Sequence, residues 1–572
     1  MAGDDSSKKR LIIIGVSSFF LVIMLIAVTF SLNIKESNED GKRSGEISSS
    51  MKAIQTLCEP ADYKETCEKS LEESAGNATD PRELIQIAFM VAQKQIEEAA
   101  KKSATLQELE KDPRAEDALS CCRELMNMSF SELEASIEKF AEFEISQLDD
   151  LMADLRTWLS ASITYQETCL YGFENTTSDA GEKMKEALKT SMEMSTNSLD
   201  ILDGFSSELT ETQLPGISRR LLQESRHEDE SSEFPSWVNP GTRRLLSEPV
   251  SKIKPDLVVA KDSSGDFKTI RAALRSIPKR GSNATFVLYI KKGIYREYVE
   301  FNKTLDNLMV IGDGSDKTII TGNKNFVDGI NTYHTATVVV LGDNFVARNI
   351  GFENSAGAIK HQAVALRVSA DFAVFYNCTM DGYQDTLYAH AKRQFYRECS
   401  ISGTIDFIFG DAPVVFQNCQ FLIRRPLKNQ RCIVTAQGRK QRRQPSAIII
   451  QNSTITAHPD MLPVKDQFKS FLGRPWKEFS RTIIMESFID DLIQPEGWLP
   501  WKGDFGLKTC WYTEFDNYGP GSNLTARVKW SGIKTISRQR AMYFTPGRFL
   551  RADRWIKPTG VPYAPYFTRR ST

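Results

Sequence analysis

The sequence predicts a chain of mixed fold class: a membrane-spanning N-terminal segment, an all-α four-helix bundle, and an all-β parallel β-helix. Three observations support this prediction. An uncharged apolar run lies near the N-terminus, and apolar residues then recur at helical spacing. In the second half, short β-branched runs recur, several of them followed by a similar segment that contains Asn. At 572 residues the chain is long enough for two to four domains.

The N-terminal segment carries Lys8, Lys9 and Arg10 ahead of an uncharged stretch at residues 11–33. Such a stretch is long enough to cross about 30 Å of hydrocarbon as a helix. We therefore expect residues 1–33 to be a cytosolic basic stub and a signal-anchor, with residues 11–32 in the membrane and the rest of the chain in the secretory pathway. A cleaved signal peptide is the alternative, although the run is longer than a usual signal-peptide core.

The charge is divided unequally along the chain. Residues 1–250 hold 26 Lys and Arg against 46 Asp and Glu, a net charge of −20, whereas residues 251–572 hold 46 against 28, a net charge of +18. The basic second part is suited to bind a polyanion such as nucleic acid, anionic lipid or acidic polysaccharide. The acidic first part could cover the same face. Charge alone does not choose among these partners.

The acidic half is helical in pattern. Apolar residues at three- and four-residue spacing run from about Thr56 to Phe205, with few glycines between them. Short connections between such helices favour an up-and-down four-helix bundle, which we assign to residues 50–205. No catalytic constellation is visible in this region.

Residues 206–250 are polar and rich in Pro, Gly and Ser, which is typical of a linker. The tetrapeptide Arg-Arg-Leu-Leu occurs in it twice, beginning at Arg219 and at Arg243. Because proteases cut exposed, extended chain, we expect processing at Arg220 and Arg244 by a subtilisin-like protease.

Residues 251–560 are predicted to be the β-helix. Short β-branched and aromatic runs are separated by Gly, Asn and Asp, and the phrases ARNIGFENS, FYNCTMDG, FQNCQFLI and IIQNSTIT recur at intervals of roughly 20–40 residues. Such recurrence is typical of stacked coils that share one core. A β-sandwich is the alternative, and the lack of tight two-residue hairpin signals disfavours it.

The chemistry must come from carboxylates. The sequence has no G-x-S-x-G nucleophile motif and no C-x-x-C pair, and its five histidines show no metal-ligand spacing, so we expect no metal and no cofactor. Asp385 and Asp406 are 21 residues apart, which approximates one coil. Equivalent positions on adjacent coils lie about 4.8 Å apart. Two carboxyls at that distance in a partly apolar setting cannot both ionise easily, so one serves as an acid and the other as a nucleophile.

Five segments resemble the signature segments of plant pectin methylesterases, in the same order: GIYRE from Gly293, QAVAL from Gln362, QDTL from Gln384, DFIFG from Asp406 and LGRPW from Leu472. The resemblance spans about residues 256–556 and implies a right-handed parallel β-helix. Residues 56–205 resemble the pectin methylesterase and invertase inhibitor family. This second resemblance implies disulfides Cys58–Cys67 and Cys122–Cys169, and it leaves Cys121 as an extra thiol.

The resemblance also implies roles for individual residues. Asp406 matches the nucleophile that attacks the methyl-ester carbonyl, and Asp385 matches the acid that protonates departing methanol and then activates water. Gln362 and Gln384 match the amide donors to the oxyanion, and Arg474 matches the arginine that orients the nucleophile and contacts substrate. Thr332, Gln362, Arg474 and Trp476 match substrate-binding positions.

The expected function is therefore hydrolysis of the C6 methyl esters of homogalacturonan to pectate and methanol in the cell wall, from a membrane-anchored Golgi precursor with an autoinhibitory pro-region. The expected partners are methyl-esterified pectin, the processing protease and an inhibitor protein of the same family as the pro-region, with no nucleic acid. Ser263, where the family usually has glycine, and the segment Tyr333-His334-Thr335-Ala336-Thr337, where the family usually has aromatic-x-Ser-Ala-Thr, depart from the pattern of the family, which affects substrate preference more than activity. Cys399 and Cys419 flank the Asp406 segment and are a candidate disulfide.

Two other functions fit parts of the sequence. A pectate lyase or polygalacturonase would use the same solenoid, but a lyase needs a calcium-binding acidic cluster and an arginine base. A non-catalytic protein that binds wall polyanions would use only the basic surface. The presence of Asp385, Asp406, Gln384 and Arg474 together disfavours both.

Overall fold

The computed structural model describes residues 48–142, 147–212, 254–279 and 284–568. The predicted signal-anchor at residues 1–33 and the processing sites at Arg220 and Arg244 lie outside the described residues. Within the described ranges, no helix combines the length and the apolar character needed to span a membrane. Residues 48–212 are called the helical domain below, and residues 254–568 the β domain.

The helical domain consists of two short helices followed by four long ones. They are α1 Ser49–Leu57, α2 Lys64–Ser74, α3 Pro81–Leu109, α4 Pro113–Ala141, α5 Leu148–Tyr171 and α6 Ala180–Thr212. Helices α3 and α4 begin in the same way: Asp80 and Asp112 accept hydrogen bonds from the backbone N–H two residues later, and a proline occupies the first turn. An Asp cap followed by proline satisfies or removes N–H groups that would otherwise have no partner.

The four long helices pack in a closed ring in which α4 lies between α3 and α5, and α6 contacts both α3 and α5. Disulfides join Cys58 to Cys67 and Cys122 to Cys169, and the second ties α4 to α5. Cys121 is a buried free thiol. The predicted helical N-terminal region is confirmed, and its four-helix core is preceded by the short α1 and α2.

The β domain contains 25 short strands and three short α-helices among its described residues, besides several 3₁₀ turns. In chain order these are β1 Leu257–Val259, α7 Ile270–Ser276, β2 Phe286–Ile290, β3 Gly293–Arg296, β4 Val299–Phe301, β5 Leu308–Gly312, β6 Thr318–Gly322, β7 Val338–Val340, β8 Val346–Arg348, β9 Gly351–Asn354, β10 Leu366–Val368, β11 Ala373–Tyr376, β12 Thr379–Asp381, β13 Leu387–Ala389, β14 Gln394–Arg397, β15 Ser400–Gly403, β16 Ile408–Gly410, β17 Pro413–Gln417, β18 Gln420–Ile423, β19 Cys432–Gln437, β20 Ala447–Gln451, β21 Thr454–Ala457, β22 Ser470–Gly473, β23 Arg481–Met485, β24 Phe488–Ile489, β25 Trp511–Phe515, α8 Arg538–Met542 and α9 Pro546–Phe549.

These strands form three parallel sheets of ten, seven and eight strands. Each sheet takes every third strand or so along the chain, for example β10, β13, β16 and β19 in the seven-stranded sheet, so successive strands belong to successive faces of one coil. The inward-facing side chains form a continuous aliphatic and aromatic core made wholly of β-domain residues. This is the predicted parallel β-helix. Its right-handed sense stays a prediction from the family resemblance.

The recurring Asn phrases mark one corner of the coil. Asn349, Asn377, Asn418 and Asn452 all adopt left-handed backbone conformations, with φ between 47° and 58°. Each lies where the chain leaves the ten-stranded sheet for the eight-stranded sheet. Asparagine tolerates this conformation better than most residues, and stacked asparagines can bond one another, as Asn377 Nδ2 does to Asn349 Oδ1 at 2.7 Å.

Cys399 and Cys419 are free buried thiols and are not bonded to each other, so the expected disulfide is absent from the structure. They occupy equivalent positions on successive coils, just before the paired residues Ser400 and Gln420. Each thiol is directed to backbone carbonyl oxygens, that of Cys399 to Phe375 and that of Cys419 to Tyr396. Each thiol thus has a hydrogen-bond acceptor inside the coil, and no covalent bond joins the two cysteines.

Gly410, which ends β16, is a position where a side chain cannot fit. Its φ is 127°, and a Cβ atom there would lie 1.9 Å from the backbone oxygen of Ala389 on the neighbouring coil. At Gly357, by contrast, φ is 85° and a Cβ atom would meet nothing within 4 Å. We predict that Gly357→Ala costs roughly 1–3 kcal/mol from backbone strain alone. Gly410→Ala should cost about 1–3 kcal/mol more, because the coils must also move apart. Urea unfolding followed by tryptophan fluorescence measures both, and equal losses would contradict the close approach at Gly410.

Candidate active site

Asp385 and Asp406 lie side by side at the start of adjacent strands of the seven-stranded sheet. Strand β13 pairs with β16 in a register that places Leu387 opposite Ile408, and each aspartate lies two residues before its paired residue. Both aspartates have left-handed backbones, with φ of 63° and 50°. Non-glycine residues held in this region are often functional, because the surrounding fold must support the strain.

Arg474 lies just after β22, two strands beyond β16 in the same sheet. Its Nε donates a hydrogen bond to Asp406 Oδ1 at 2.8 Å, and its Nη2 donates a second one to Asp406 Oδ2. The pair is bidentate and charge-assisted, which fixes the orientation of the Asp406 carboxylate. Asp406 is 5% exposed and Asp385 is 8% exposed, so both carboxyls are shielded from water.

The two carboxyls differ in their preferred protonation state. Burial raises the pKa of Asp385 well above its usual value, the charge of Asp406 raises it further, and Arg474 opposes the shift only by its charge. Burial also raises the pKa of Asp406, but both the charge and the hydrogen bonds of Arg474 oppose that increase. The proton that the pair retains therefore belongs on Asp385, and Asp406 is the carboxylate.

Gln362 and Gln384 are brought next to each other and to Asp385. The two glutamines form a parallel β-bridge between successive coils, and Gln384 directly precedes Asp385. Both side chains are half-buried. Two side-chain amides beside two carboxyls can donate hydrogen bonds to an oxygen that becomes negatively charged during acyl transfer.

Aromatic rings form one wall of the site. Tyr388 stacks on Phe409 with centroids 4.1 Å apart, Trp476 packs edge-on against Phe409 at 5.8 Å, and the Arg474 guanidinium lies 4.3 Å from the centre of the Trp501 ring. Tyr388 and Trp501 were missed at the sequence level. Tyr388 follows Asp385 by three residues and could have been found from strand alternation, whereas nothing local marks Trp501.

Thr332 begins a short 3₁₀ helix, Thr332–Thr335, which contacts both the β domain and the helical domain. Tyr333 donates a hydrogen bond to Glu124, and His334 bonds Asp117. The structure thus brings together in one site Asp385, Asp406, Gln362, Gln384, Arg474 and Trp476. Thr332 lies instead in the 3₁₀ helix on the boundary with the helical domain.

Helix α5 lies over the seven-stranded sheet and covers this site. The Tyr171 ring packs edge-on against Trp476, with centroids 5.1 Å apart. Burial raises the pKa of the Tyr171 hydroxyl, and the nearby charges of Glu174, Asp385 and Asp406 raise it further. One turn earlier, Thr168 Oγ1 lies 2.9 Å from His390 Nε2, and Thr164 donates to Asp411 at 2.7 Å. The same face of α5 therefore contacts the sheet along most of its length.

Acidic side chains of helix α4 contact a second row of residues of the β domain, several of them basic. Asp117 lies 2.8 Å from His334, and Glu124 lies 3.7 Å from Arg367. Glu132 is buried with Lys392, at 3.1 Å. Apolar side chains of both domains form one continuous cluster across this boundary. The acidic half of the chain thus covers the basic half through complementary charge as well as apolar contact.

In the described part of the chain, no three or more His, Cys, Asp or Glu side chains are grouped so that they could hold a metal ion.

The raised pKa of Asp385 predicts how stability changes with pH. The folded protein holds the Asp385 proton more tightly than the unfolded chain, whose aspartates titrate near 3.9. From about pH 4 up to the folded pKa the folded state binds more protons, so the free energy of unfolding falls as pH rises. Asp385→Asn should reduce this slope and raise the free energy of unfolding at pH 7.

The exposed Asp504 serves as a matched control, because Asp504→Asn alters no buried carboxyl. Urea unfolding at intervals from pH 4 to pH 8 gives the slopes. An Asp385→Asn variant that keeps the slope of the unmodified protein and is less stable at pH 7 would contradict the assignment of the retained proton.

Comparisons with known proteins identify the family. The family model "Pectinesterase" matches residues 256–553, and the model "Plant invertase/pectin methylesterase inhibitor" matches residues 52–201. Two Arabidopsis thaliana relatives are "Probable pectinesterase/pectinesterase inhibitor 21", 52% identical over 98% of this chain and 83% of the relative, and "Probable pectinesterase/pectinesterase inhibitor 58", 47% identical over 98% of each.

Among solved structures, "Pectin methylesterase from Carrot" is 47% identical, with a TM-score of 0.54, and it covers 55% of this chain and 99% of its own. A chain about as long as the β domain therefore forms such a fold without a helical domain. Since one family model matches more than half of the chain and these relatives match nearly all of it, the chain belongs to the pectinesterase family of carboxylic ester hydrolases, with a domain of the plant invertase/pectin methylesterase inhibitor family preceding its catalytic domain.

Proposed function

We propose that the β domain hydrolyses the C6 methyl esters of homogalacturonan to pectate and methanol with Asp406 as nucleophile and Asp385 as acid and base. We also propose that the helical domain keeps this site closed until the linker is cut. The observation that carries the first proposal is a pair of buried carboxyls on adjacent coils, of which Arg474 binds only one. One group can give a proton while the other attacks.

In the first half of the reaction, an Asp406 oxygen attacks the ester carbonyl carbon and forms a tetrahedral intermediate. Its oxyanion accepts hydrogen bonds from the amides of Gln362 and Gln384, each worth about 2.7–4 kcal/mol in comparable sites. The C–O bond to the methoxy group then breaks, and that oxygen takes the proton of Asp385 and leaves as methanol. An anhydride between galacturonate and Asp406 remains.

In the second half, Asp385 is ionised and accepts a proton from a water molecule that attacks the same acyl carbon. The bond from that carbon to Asp406 breaks, which returns Asp406 as a carboxylate and Asp385 as an acid. The galacturonic acid product loses its proton to solvent. Arg474 supports both halves because it holds Asp406 in the ionised form that attacks and that later leaves.

Substrate is expected to bind where α5 now lies. Trp476 and Arg474 border the carboxyls, and the Trp476 indole N–H is buried without a hydrogen-bond partner among the described residues. Once the helical domain leaves, that N–H can donate to a sugar hydroxyl. Thr332 would border the sugar cleft from the 3₁₀ helix.

The two other functions lack comparable support. A lyase would need a calcium-binding acidic cluster, and the site offers one carboxyl pair with its arginine instead. A protein that only binds wall polyanions would have no use for a left-handed Asp406 held in bidentate fashion or for a protonated neighbour.

The mechanism predicts the effects of four substitutions on methanol release from highly methylated pectin by the β domain. Asp406→Asn and Asp385→Asn should each lower kcat by roughly 10³-fold or more, because each removes a group that takes part in bond making. Gln362→Ala and Gln384→Ala should each lower kcat by roughly 10²–10³-fold with little change in KM, because the oxyanion forms only in the transition state.

Asp504→Asn is the control for a lost surface carboxylate. Circular dichroism and unfolding midpoints establish that each variant is folded. If folded Asp406→Asn released methanol at the rate of the unmodified protein, the nucleophile assignment would be wrong. If the unmodified folded β domain released none, the esterase mechanism itself would be wrong.

The precursor proposal rests on the contact of α5 with the site. Tyr171 of α5 packs on Trp476 beside the two carboxyls, and acidic residues of α4 form ion pairs with basic residues of the β domain. Cleavage after Arg220 or Arg244 by a subtilisin-like protease would make the helical domain separable. A signal-anchor at residues 11–32 would hold the precursor in the Golgi, and the freed enzyme would act in the cell wall. A separate inhibitor of the same family would bind the same face.

Release of the helical domain should depend on pH through His334. Although burial opposes its charge, hydrogen bonds to Asp117 and Glu124 of α4 raise the pKa of His334 to about 9. Against an ordinary value near 6.5, protonated His334 favours association fully below pH 6.5, and this contribution is lost as pH rises through 9. With the linker cut, the Kd between the domains should rise by up to roughly 100-fold from pH 6.5 to pH 9.5.

His334→Gln should weaken association at pH 6.5 and flatten this dependence, whereas His361→Gln should keep it, because His361 is exposed. Analytical ultracentrifugation of the cut chain measures the Kd. An uncut precursor with the full activity of the separated β domain would contradict the proposed inhibition whatever the pH.

A further inference from the structure

Four basic side chains of the β domain form a strip that the helical domain covers. Lys440, Arg442 and Arg443 lie on the loop between β19 and β20, and Lys477 follows β22. They are called the basic strip below. Their side chains retain between 18% and 53% exposure even in the precursor, so the strip is a surface feature and not part of the core.

The strip begins at the proposed catalytic site. Lys477 is the neighbour of Trp476 in the chain, and its Nζ lies 5.7 Å from the centre of the Trp476 ring. The same ring packs on Gly438, two residues before Lys440, where a Cβ atom would lie 2.7 Å from it. Tyr388, Trp476, Lys440 and Lys477 together line one small cavity. From there the strip continues along the loop to Arg442 and Arg443.

Every member of the strip is paired with a carboxylate of the helical domain. Glu167 of α5 lies between two of them, 3.3 Å from Lys477 Nζ and 3.9 Å from Lys440 Nζ. Asp62 pairs with Arg442, and Asp200 of α6 pairs with Arg443. Three carboxylates from separate parts of the helical domain are thus spread along the strip.

Within the β domain the strip has little to replace these partners. Lys440 also contacts Glu478, at 3.1 Å, and this pair would remain after the helical domain leaves. The other ion pairs that the structure gives for Lys477, Arg442 and Arg443 are all with the helical domain, which also provides the Pro60 carbonyl that accepts from Arg443 at 3.0 Å. Separation of the domains would therefore leave a row of cations beside a site whose product is a carboxylate.

We infer that the basic strip binds de-esterified galacturonate units on one side of the ester being cut, and that Glu167, Asp62 and Asp200 occupy the positions of those carboxylates in the precursor. This inference rests on the proposed function, because it assigns the flanking part of the same substrate. Several cations in a row recognise a polyuronate because carboxylates recur along it, whereas a fully methylated chain is uncharged. The enzyme should then prefer esters that border a stretch already hydrolysed.

The test uses the β domain separated from the cut chain. The strip variant carries Lys440→Gln, Arg442→Gln, Arg443→Gln and Lys477→Gln. The matched control carries the same loss of charge at four exposed positions around α7, namely Lys268→Gln, Arg271→Gln, Arg275→Gln and Lys279→Gln. Arg442→Gln alone is a milder second variant, because that side chain is 53% exposed and cannot disturb the core.

Two substrates of equal length are compared by methanol release: fully methylated homogalacturonan, and homogalacturonan in which blocks have been de-esterified. The ratio of kcat/KM for the block substrate to that for the fully methylated one should fall roughly ten-fold in the strip variant at low salt, through KM. Arg442→Gln should give a fraction of that fall. Affinity for fully de-esterified polygalacturonate, measured by calorimetry, should fall in parallel and lose its salt dependence, while the control keeps both.

An unchanged ratio, or an equal loss of activity on both substrates, would overturn the inference, because the strip would then serve only to hold the helical domain. The same fall of the ratio in the control variant would also overturn it, because the effect would then come from net charge. These outcomes differ from a failure of the proposed function. In that case the unmodified β domain would release no methanol from either substrate.

Discussion

In-register stacking of parallel coils is the constraint on which the site depends. Because β13 and β16 pair without offset, residues 21 apart in sequence become neighbours, and two carboxyls meet in a place where water is excluded. A shift of the register by one residue would move every side chain of the strand to the opposite face. The core therefore fixes the position of Asp385 and Asp406 as strictly as it fixes its own packing.

The pairing of Asp406 with Arg474 then separates the roles of two identical side chains. Burial raises the pKa of both carboxyls, and the hydrogen bonds of the guanidinium oppose that rise at Asp406 alone. Removal of a partner from a buried ion pair leaves a charge without compensation, which costs several kcal/mol. The same interaction thus supports the local structure and divides acid from nucleophile. The helical domain adds to the effect, because α5 further shields the carboxyls.

Those parts of the fold that produce a periodic residue pattern could be predicted from the sequence. Helical spacing indicated the bundle, and recurring Asn phrases indicated the coils, because both periods are visible in one chain. Spacing also suggested that Asp385 and Asp406 meet. Arg474 lies 68 residues beyond Asp406, so only the family resemblance could associate them.

The contacts between the domains could not be predicted from the sequence either, because they also join residues that are far apart in the chain. Glu167 meets Lys477 across 310 residues, and no local pattern encodes that meeting. Opposite net charges of the two halves predicted an association, but not its face. The expected bond between Cys399 and Cys419 shows the converse limit: spacing of one coil places two thiols near each other without deciding whether they bond.

The proposed mechanism requires a covalent acyl intermediate on Asp406, and chemical trapping can detect it. Hydroxylamine added while the β domain turns over methylated homogalacturonan should convert part of the anhydride to a hydroxamate on Asp406, detected by mass spectrometry of the peptide that contains it. This modification is expected only in the presence of substrate. Modification of Asp385 instead, or of neither residue while methanol is released, would contradict it.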